Sequence, residues 1–194
     1  MRRFWSMLAH YHAQTWNASE FARSLGVSDK TIRSYLDVLT GTFMIRQLQP
    51  WHENIGKRQV KTPKIYFRDS GLLHSLLDIQ DWHTLLGHPK VGASWEGYAL
   101  EQTLQIVQPA QAYFWGIHSG GELDLLFMQG RHKYGVEVKF SEAPSVTPSM
   151  KMAVEALKLA HLWVIYPGEH SYSVDKNITV LPLKLIADLP VQNR

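Results

Sequence analysis

The stretch GGELDLLFMQGRHKYGVEVKFS, residues 120–141, decides how the chain is read. Two runs rich in Leu, Phe, Val and Tyr flank the turn-like MQGRHK at 128–133, which predicts two strands, 122–127 and 134–140. Yet Glu122, Asp124, Glu137 and Lys139 lie inside them. Burying an ionised group costs several kcal/mol, of order 3 or more, unless it is paired or coordinated. Side chains alternate along a strand, so Glu122 and Asp124 share a face. Glu137 and Lys139 share another, opposite Val136, Val138 and Phe140. Pairing the strands as a hairpin lets Asp124, Glu137 and Lys139 converge on one side of a sheet.

Working outward, AYFWGI at 112–117 reads as a preceding strand, and SWEGYALEQTLQIVQ at 94–108 as a helix. On that helix Glu96 falls with Leu100, Leu104 and Val107, while Gly97, Glu101, Gln105 and Gln108 take another face. Glu96 is therefore expected to approach the carboxylates and Glu101 to face water. A helix at 148–160 and a strand at LWVIYP complete an α/β unit. Carboxylates held together repel, and Mg2+ or Mn2+ is the usual resolution. A neighbouring lysine can assist a metal-bound water or stabilise charge on a phosphate under attack. Such a set suits phosphodiester hydrolysis, with Asp124, Glu137 and, as a third candidate, Glu122 available to a metal and Lys139 beside them. The alternative is a cross-strand salt-bridge set on a wet sheet face.

The front of the chain carries a helix-turn-helix grammar. Asn17 with Glu20 three residues on reads as a capping box, Gly26 as a helix stop and Ser28 as the next cap. In the helix that follows, Ile32, Tyr35, Leu36 and Leu39 form one apolar stripe, which leaves Lys30, Arg33, Ser34 and Asp37 outward. A DNA-reading second helix presents such residues to the major groove. MIRQLQPW and PKIYFRDSG read as a hairpin around the loop HENIGKRQVKT, whose Lys57, Arg58, Lys61 and nearby Lys64 make it a basic wing. The same layout also serves protein–protein modules, and a basic loop is often only a solvated one. Trp51 beside that loop either stacks on a base or closes the hairpin, and the second is expected.

The whole-chain properties are permissive. The 194 residues carry a formal charge of +3 and no cysteine, which excludes disulfides, thiolate metal sites and cysteine nucleophiles. Ten histidines fall in no metal-ligand pattern and read as surface or packing residues. The amino end is too short and too interrupted for a signal-peptide core or a membrane span, so a cytoplasmic protein without a membrane partner is expected.

A helix bearing Glu96, then Asp124, then EVK at 137–139, then helix and strand resembles the core of the PD-(D/E)XK nuclease superfamily. SWEGYALEQTL, YFWGIHSGGELDLLF and YGVEVKFSEAPS resemble, more closely, the uncharacterised C-terminal domain of a prokaryotic AAA-type ATPase family, where a P-loop domain precedes a winged helix and this nuclease-like domain. NASEFARSLGVSDKTIRSYLDVLTGTFMIRQLQPW and TPKIYFRDSGLLHSLL resemble the segment joining those parts. The resemblance implies an α/β (α+β) chain: an N-terminal winged helix-turn-helix at 1–75, a helical connector at 76–93, and a PD-(D/E)XK-like mixed β-sheet flanked by helices at 94–194. It implies that Asp124 rather than Glu122 holds the magnesium with Glu137, that Glu96 completes or orients the site and Lys139 assists the attacking water, and that DNA is the partner, with an ATPase subunit or self-association beside it. The function expected is a magnesium-dependent nuclease-like module, or a catalytically inactive DNA-binding or docking version, since this fold persists as a binding module after catalysis is lost. Two departures stand out. No G-x-x-x-x-G-K-S/T motif is present, so no ATP site is expected, and Met1 falls near where the ATPase would end: a fragment, a truncated product, or a version without the motor. The helix at 148–160 also lacks a glutamine found in some active relatives, and Lys151 and Lys158 read as solvated.

Overall fold

The computed structural model describes residues 1–54 and 56–189, which divide into two compact units, the first made of Met1–Leu48 with Thr62–Tyr98 and the second of the described residues from Gln49 to Lys61 and from Ala99 onward. In the first unit α1 (Arg2–His10) leads through β1 (Gln14–Thr15) into α2 (Ala18–Leu25) and α3 (Asp29–Gly41). The helix signals act as their chemistry dictates. The Asn17 side chain accepts from the Glu20 N–H, Gly26 ends α2 at φ 66°, and Ser28 accepts from the Thr31 N–H. Glu20 uses its carboxylate differently from a capping box, accepting from the Tyr11 hydroxyl at 2.8 Å. Burial, reinforced by this bond, pushes Tyr11 up to about 12.

The helices are followed by β2 (Ile45–Pro50), whose first four residues pair antiparallel with β3 (Lys64–Phe67). β1 pairs with the other edge of β3. Ile32, Leu36 and Leu39 of α3 pack with Phe4, Leu8, Trp16, Phe21, Ile45, Ile65 and Phe67 in one core. Residues 76–93 fold into this unit: α4 (Ser70–Leu76) and α5 (Trp82–Gly87) bring Leu73, Leu77, Ile79 and Leu85 to the same core, and α6 (Val91–Val107) starts here.

His12 ties this unit together. Its buried ring accepts the Phe67 N–H on Nδ1 at 3.0 Å, and its Nε2 edge lies against Gly97. The Ala93 carbonyl is near enough to favour a proton on Nε2 without forming a hydrogen bond. Burial is the dominant influence and drives the imidazole from 6.5 down to about 3, helped by the charges of Lys90 and His74. A base depressed on folding contributes stability that is present above 6.5 and is lost as pH falls toward about 3. The denaturation midpoint is therefore expected to drop between pH 7 and pH 4, with a smaller drop for His12→Gln; an equal drop would clear His12 of the effect.

The second unit is built on a mixed sheet. β4 (Ala112–Ile117), β5 (Gly121–Gln129) and β6 (His132–Val138) form an antiparallel meander. After α7 (Pro148–Leu157), β7 (His161–Tyr166) returns parallel to β6. β8 (Tyr172–Asp175) and β9 (Ile178–Pro182) follow, β9 parallel to β7 and β8 antiparallel on β9, before a 3-10 turn at Leu183–Asp188. Met150, Ala153 and Leu157 of α7 pack on Trp115, Leu123, Leu126, Leu162, Val164 and Val180. The chain is thus α+β, with helices and mixed strands.

Two features depart from a simple meander. Tyr113 pairs with Leu126 but Trp115 with Leu123, so β5 carries one extra residue between these points. This bulge brings Leu123 and Leu126 into one core, where strict alternation would send them to opposite faces. The second is the loop expected to be a wing. Gln49 and Pro50 pair parallel with Tyr113 and Phe114, the Trp51 N–H donates to the Phe114 carbonyl at 2.6 Å, Gln59 bridges Ile117, and the Val60 N–H donates to the Gly116 carbonyl at 2.9 Å. The segment thus covers an edge of β4 that would otherwise be bare. Trp51 packs edge-on against Tyr113 and donates to Glu53. Glu101, expected toward water, is instead 3% exposed, because α6 between Ala99 and Val107 is buried on several sides, with Thr103 also inside. Among the described residues no helix is long and apolar enough to cross a membrane.

Candidate acidic site

The second unit brings Asp124, Glu137 and Lys139 together. The ladder between β5 and β6 ends at Leu125 and Val136, and one further step in that register sets Asp124 opposite Glu137. There the strands cease to exchange backbone bonds, and the Val138 N–H donates at 2.9 Å to Asp124 Oδ2. The other edge of β6 stays fixed, Val138 pairing with Ile165 and the Lys139 N–H donating to the Ile165 carbonyl. Where the strands part, two carboxylates that are only 7% and 6% exposed face one another.

Lys139 Nζ donates to Glu137 Oε1 at 2.7 Å, while Glu137 Oε2 is buried with no hydrogen-bond partner. Burial pushes the Glu137 carboxyl from 4.5 up to about 8; the negative charge of Asp124 adds to this, Lys139 opposes it, and Glu122 adds a smaller push. The enclosure therefore favours the protonated form of Glu137. Ser149 of α7 accepts the Glu122 N–H at 2.9 Å and donates to the Glu122 carbonyl, which pins the start of α7 to β5.

The donor set fits a hard divalent cation. Mg2+ commonly takes one or two carboxylates and completes its shell with water and substrate phosphate. A cation at Asp124 and Glu137 would satisfy the orphaned Oε2 and displace the Glu137 proton. Among the described residues no cluster of three or more His, Asp or Glu is arranged to hold a metal, so the remaining ligands would be water or substrate oxygens.

Glu96 lies in the first unit, where its Oε1 accepts from the Tyr66 hydroxyl at 2.6 Å and from Lys64 Nζ at 3.2 Å. Lys64, expected at the end of a basic wing, is 5% exposed and engaged by this pair. In the sequence Tyr66 is marked as a partner only by its spacing of two from Lys64, which puts both on one face of a strand. Lys30, Arg33 and Ser34 lie exposed on α3, and Lys57, Arg58 and Lys61 lie exposed on the segment along β4.

With this geometry in place, the relatives can be set beside it. The chain matches two domains of unknown function. Residues 1–83 match DUF8612 and residues 91–186 match DUF4143. It is 48% identical over 182 residues to "Uncharacterized protein Mb2031c" of Mycobacterium bovis and, equally, to "Uncharacterized protein Rv2008c" of Mycobacterium tuberculosis. Each match covers 94% of this chain, which spans 41% of the length of these curated relatives. No solved structure matches the chain. Asp124, Glu137 and Lys139 all fall in the DUF4143 segment, and Lys30, Arg33, Ser34, Lys57, Arg58 and Lys61 in the DUF8612 segment.

Proposed function

We propose that the second unit is a PD-(D/E)XK-type module that hydrolyses DNA phosphodiesters with magnesium or manganese at Asp124 and Glu137. On the same reading the first unit is a helix-turn-helix that grips DNA through Lys30, Arg33 and Ser34. The observation that carries this is the buried, unpartnered Oε2 of Glu137 beside Asp124 and in contact with Lys139. A salt-bridge set on a wet sheet face would leave its carboxylates solvated and low in proton affinity; these are enclosed, and Glu137 is raised. The parallel return from β6 through α7 to β7 supports the same reading.

A bound divalent cation would supply charge stabilisation at the phosphoryl oxygens and a more acidic water. The protein's own groups do the rest. The Val138 N–H orients Asp124, Glu137 in its ionised form would hold the cation with it, and the ammonium of Lys139, 37% exposed on its side chain, would oppose negative charge building on the phosphate. A module without catalysis, docking DNA or an ATPase subunit, is the second reading; the Lys139–Glu137 pair, closed in this structure, favours it. The relatives are more than twice as long as the aligned segment, which leaves room for the motor domain that the resemblance implies.

Titrating Mn2+ and Mg2+ calorimetrically into wild type and Asp124→Ala, beside cleavage of linear, nicked and single-stranded DNA, tests the proposal. Binding and cleavage that vanish together in the variant support hydrolysis. A wild type that binds neither ion and cuts nothing leaves the docking reading.

A further inference from the structure

A second feature of the second unit shares no residue with the acidic site. A cleft of about 400 Å³ opens between the covering segment, the end of β4 and α7, lined by Lys57, Trp115, Ile117, Met152, Glu155 and Ala156. Its size falls within the range of small-molecule sites, about 300–1,000 Å³. One donor in its lining is poorly used. Lys57 Nζ rests 3.8 Å from Met152 Sδ, a weak acceptor for an ammonium. Glu155 adds the opposite sign to the lining, and Ile117, Met152, Ala156 and the indole give apolar walls.

A ligand that satisfies all of this has an anionic group, a flat apolar body and a donor directed away from the anion. We propose that the cleft binds a nucleotide: the phosphate against Lys57, the base between Met152 and the apolar wall, and an exocyclic amine donated to Glu155. Carboxylates accept from the cytosine N4 amine, whereas thymine has no exocyclic amine. Of the methionine wall's properties, softness matters most, since an unbranched thioether adapts to an inserted ring. The choice of a nucleotide over another organic anion rests on the nucleic-acid reading above; the cleft and its weakly paired lysine do not.

Calorimetric titration of dCMP and dTMP into the intact chain in EDTA is the test, because it needs no metal and no cleavage. Wild type is expected to bind dCMP more tightly than dTMP, and the exposed Lys57→Gln to weaken dCMP about tenfold or more, the usual loss for a charge-assisted bond. Glu155→Ala is expected to erase the preference for dCMP. No heat with dCMP at millimolar concentration, or unchanged affinity in Lys57→Gln, overturns the proposal. Competition by a 5′-phosphorylated oligonucleotide beginning with dC assigns the cleft to strand ends; failure to compete assigns it to free nucleotides. Cleavage by a wild type that ignores dCMP removes the cleft alone, and dCMP binding without cleavage removes hydrolysis alone.

Discussion

Glu137→Gln is expected to abolish metal-dependent cleavage, by about 10³-fold, and at the same time to raise the melting temperature above pH 8. The two effects share one cause. In the native state the Glu137 carboxyl titrates near 8, raised first by burial and then by Asp124, against 4.5 for an ordinary glutamate. The native protein holds a proton that the unfolded chain has already released, so the stability linked to this group is full below about 4.5 and drains as pH climbs through about 8. Glutamine has the same shape and no charge to bury. It is expected to flatten that slope and to gain on the order of 2 kcal/mol at pH 9. Thermal melts from pH 5 to 9 of both proteins decide the matter: parallel curves would mean that Glu137 is not protonated in the fold. Activity lost while stability is gained marks a group kept for function at a structural cost.

Gly97→Ala is expected to produce the largest loss of stability. A Cβ at this position would lie 2.2 Å from His12 Nε2 and 2.6 Å from Cε1, far inside any real contact. The imidazole cannot retreat without losing the bond from the Phe67 N–H and its edge-on packing against Tyr66 at 5.6 Å. Either α6 moves or His12 leaves, and the expected cost is about 2–4 kcal/mol. This outweighs the roughly 1 kcal/mol by which alanine exceeds glycine in a helix. Gly92 in the same helix is the control, since nothing lies within 4 Å of a Cβ there, and Gly92→Ala should be neutral or stabilising. Chemical denaturation of the pair measures the difference, and equal midpoints would show that His12 yields freely.

His12 and Glu137 give the two units opposite responses to pH. Between about 4.5 and 6.5 a rising pH strengthens the first through His12 and weakens the second through Glu137. A single melting temperature recorded at one pH therefore hides two compensating titrations.

Local chemistry carried most of the fold into the sequence. Asn17, Gly26 and Ser28 are legible because caps are set by the residue itself and its near neighbours. The strands from β4 to β7 are legible from their apolar content and the turns between them. The conjunction of Asp124, Glu137 and Lys139 follows from alternation plus one hairpin. Features set by distant partners escape such reading. The bulge in β5 depends on how Leu123 and Leu126 both reach α7, and nothing local marks it. Glu101 and Lys64 look like surface charges until the elements that cover them are placed. The pairing of Glu96 with Lys64 and Tyr66 spans about thirty residues, beyond the reach of any periodicity. β8 and β9 are four and five residues long, and no long pattern announces them.

The capture of Gln49–Lys61 by β4 has a consequence for how the protein is made. On the ribosome this segment emerges some fifty residues before the strand it will line, so its backbone groups must wait for 112–118 to be synthesised before they find partners. The reverse holds for excision. A fragment cut to the matched segment 91–186 would start after its own border strip and leave one side of β4 with unmet amides, an invitation to pair with a second copy. The second unit begins, in space, forty residues before it begins in the family alignment.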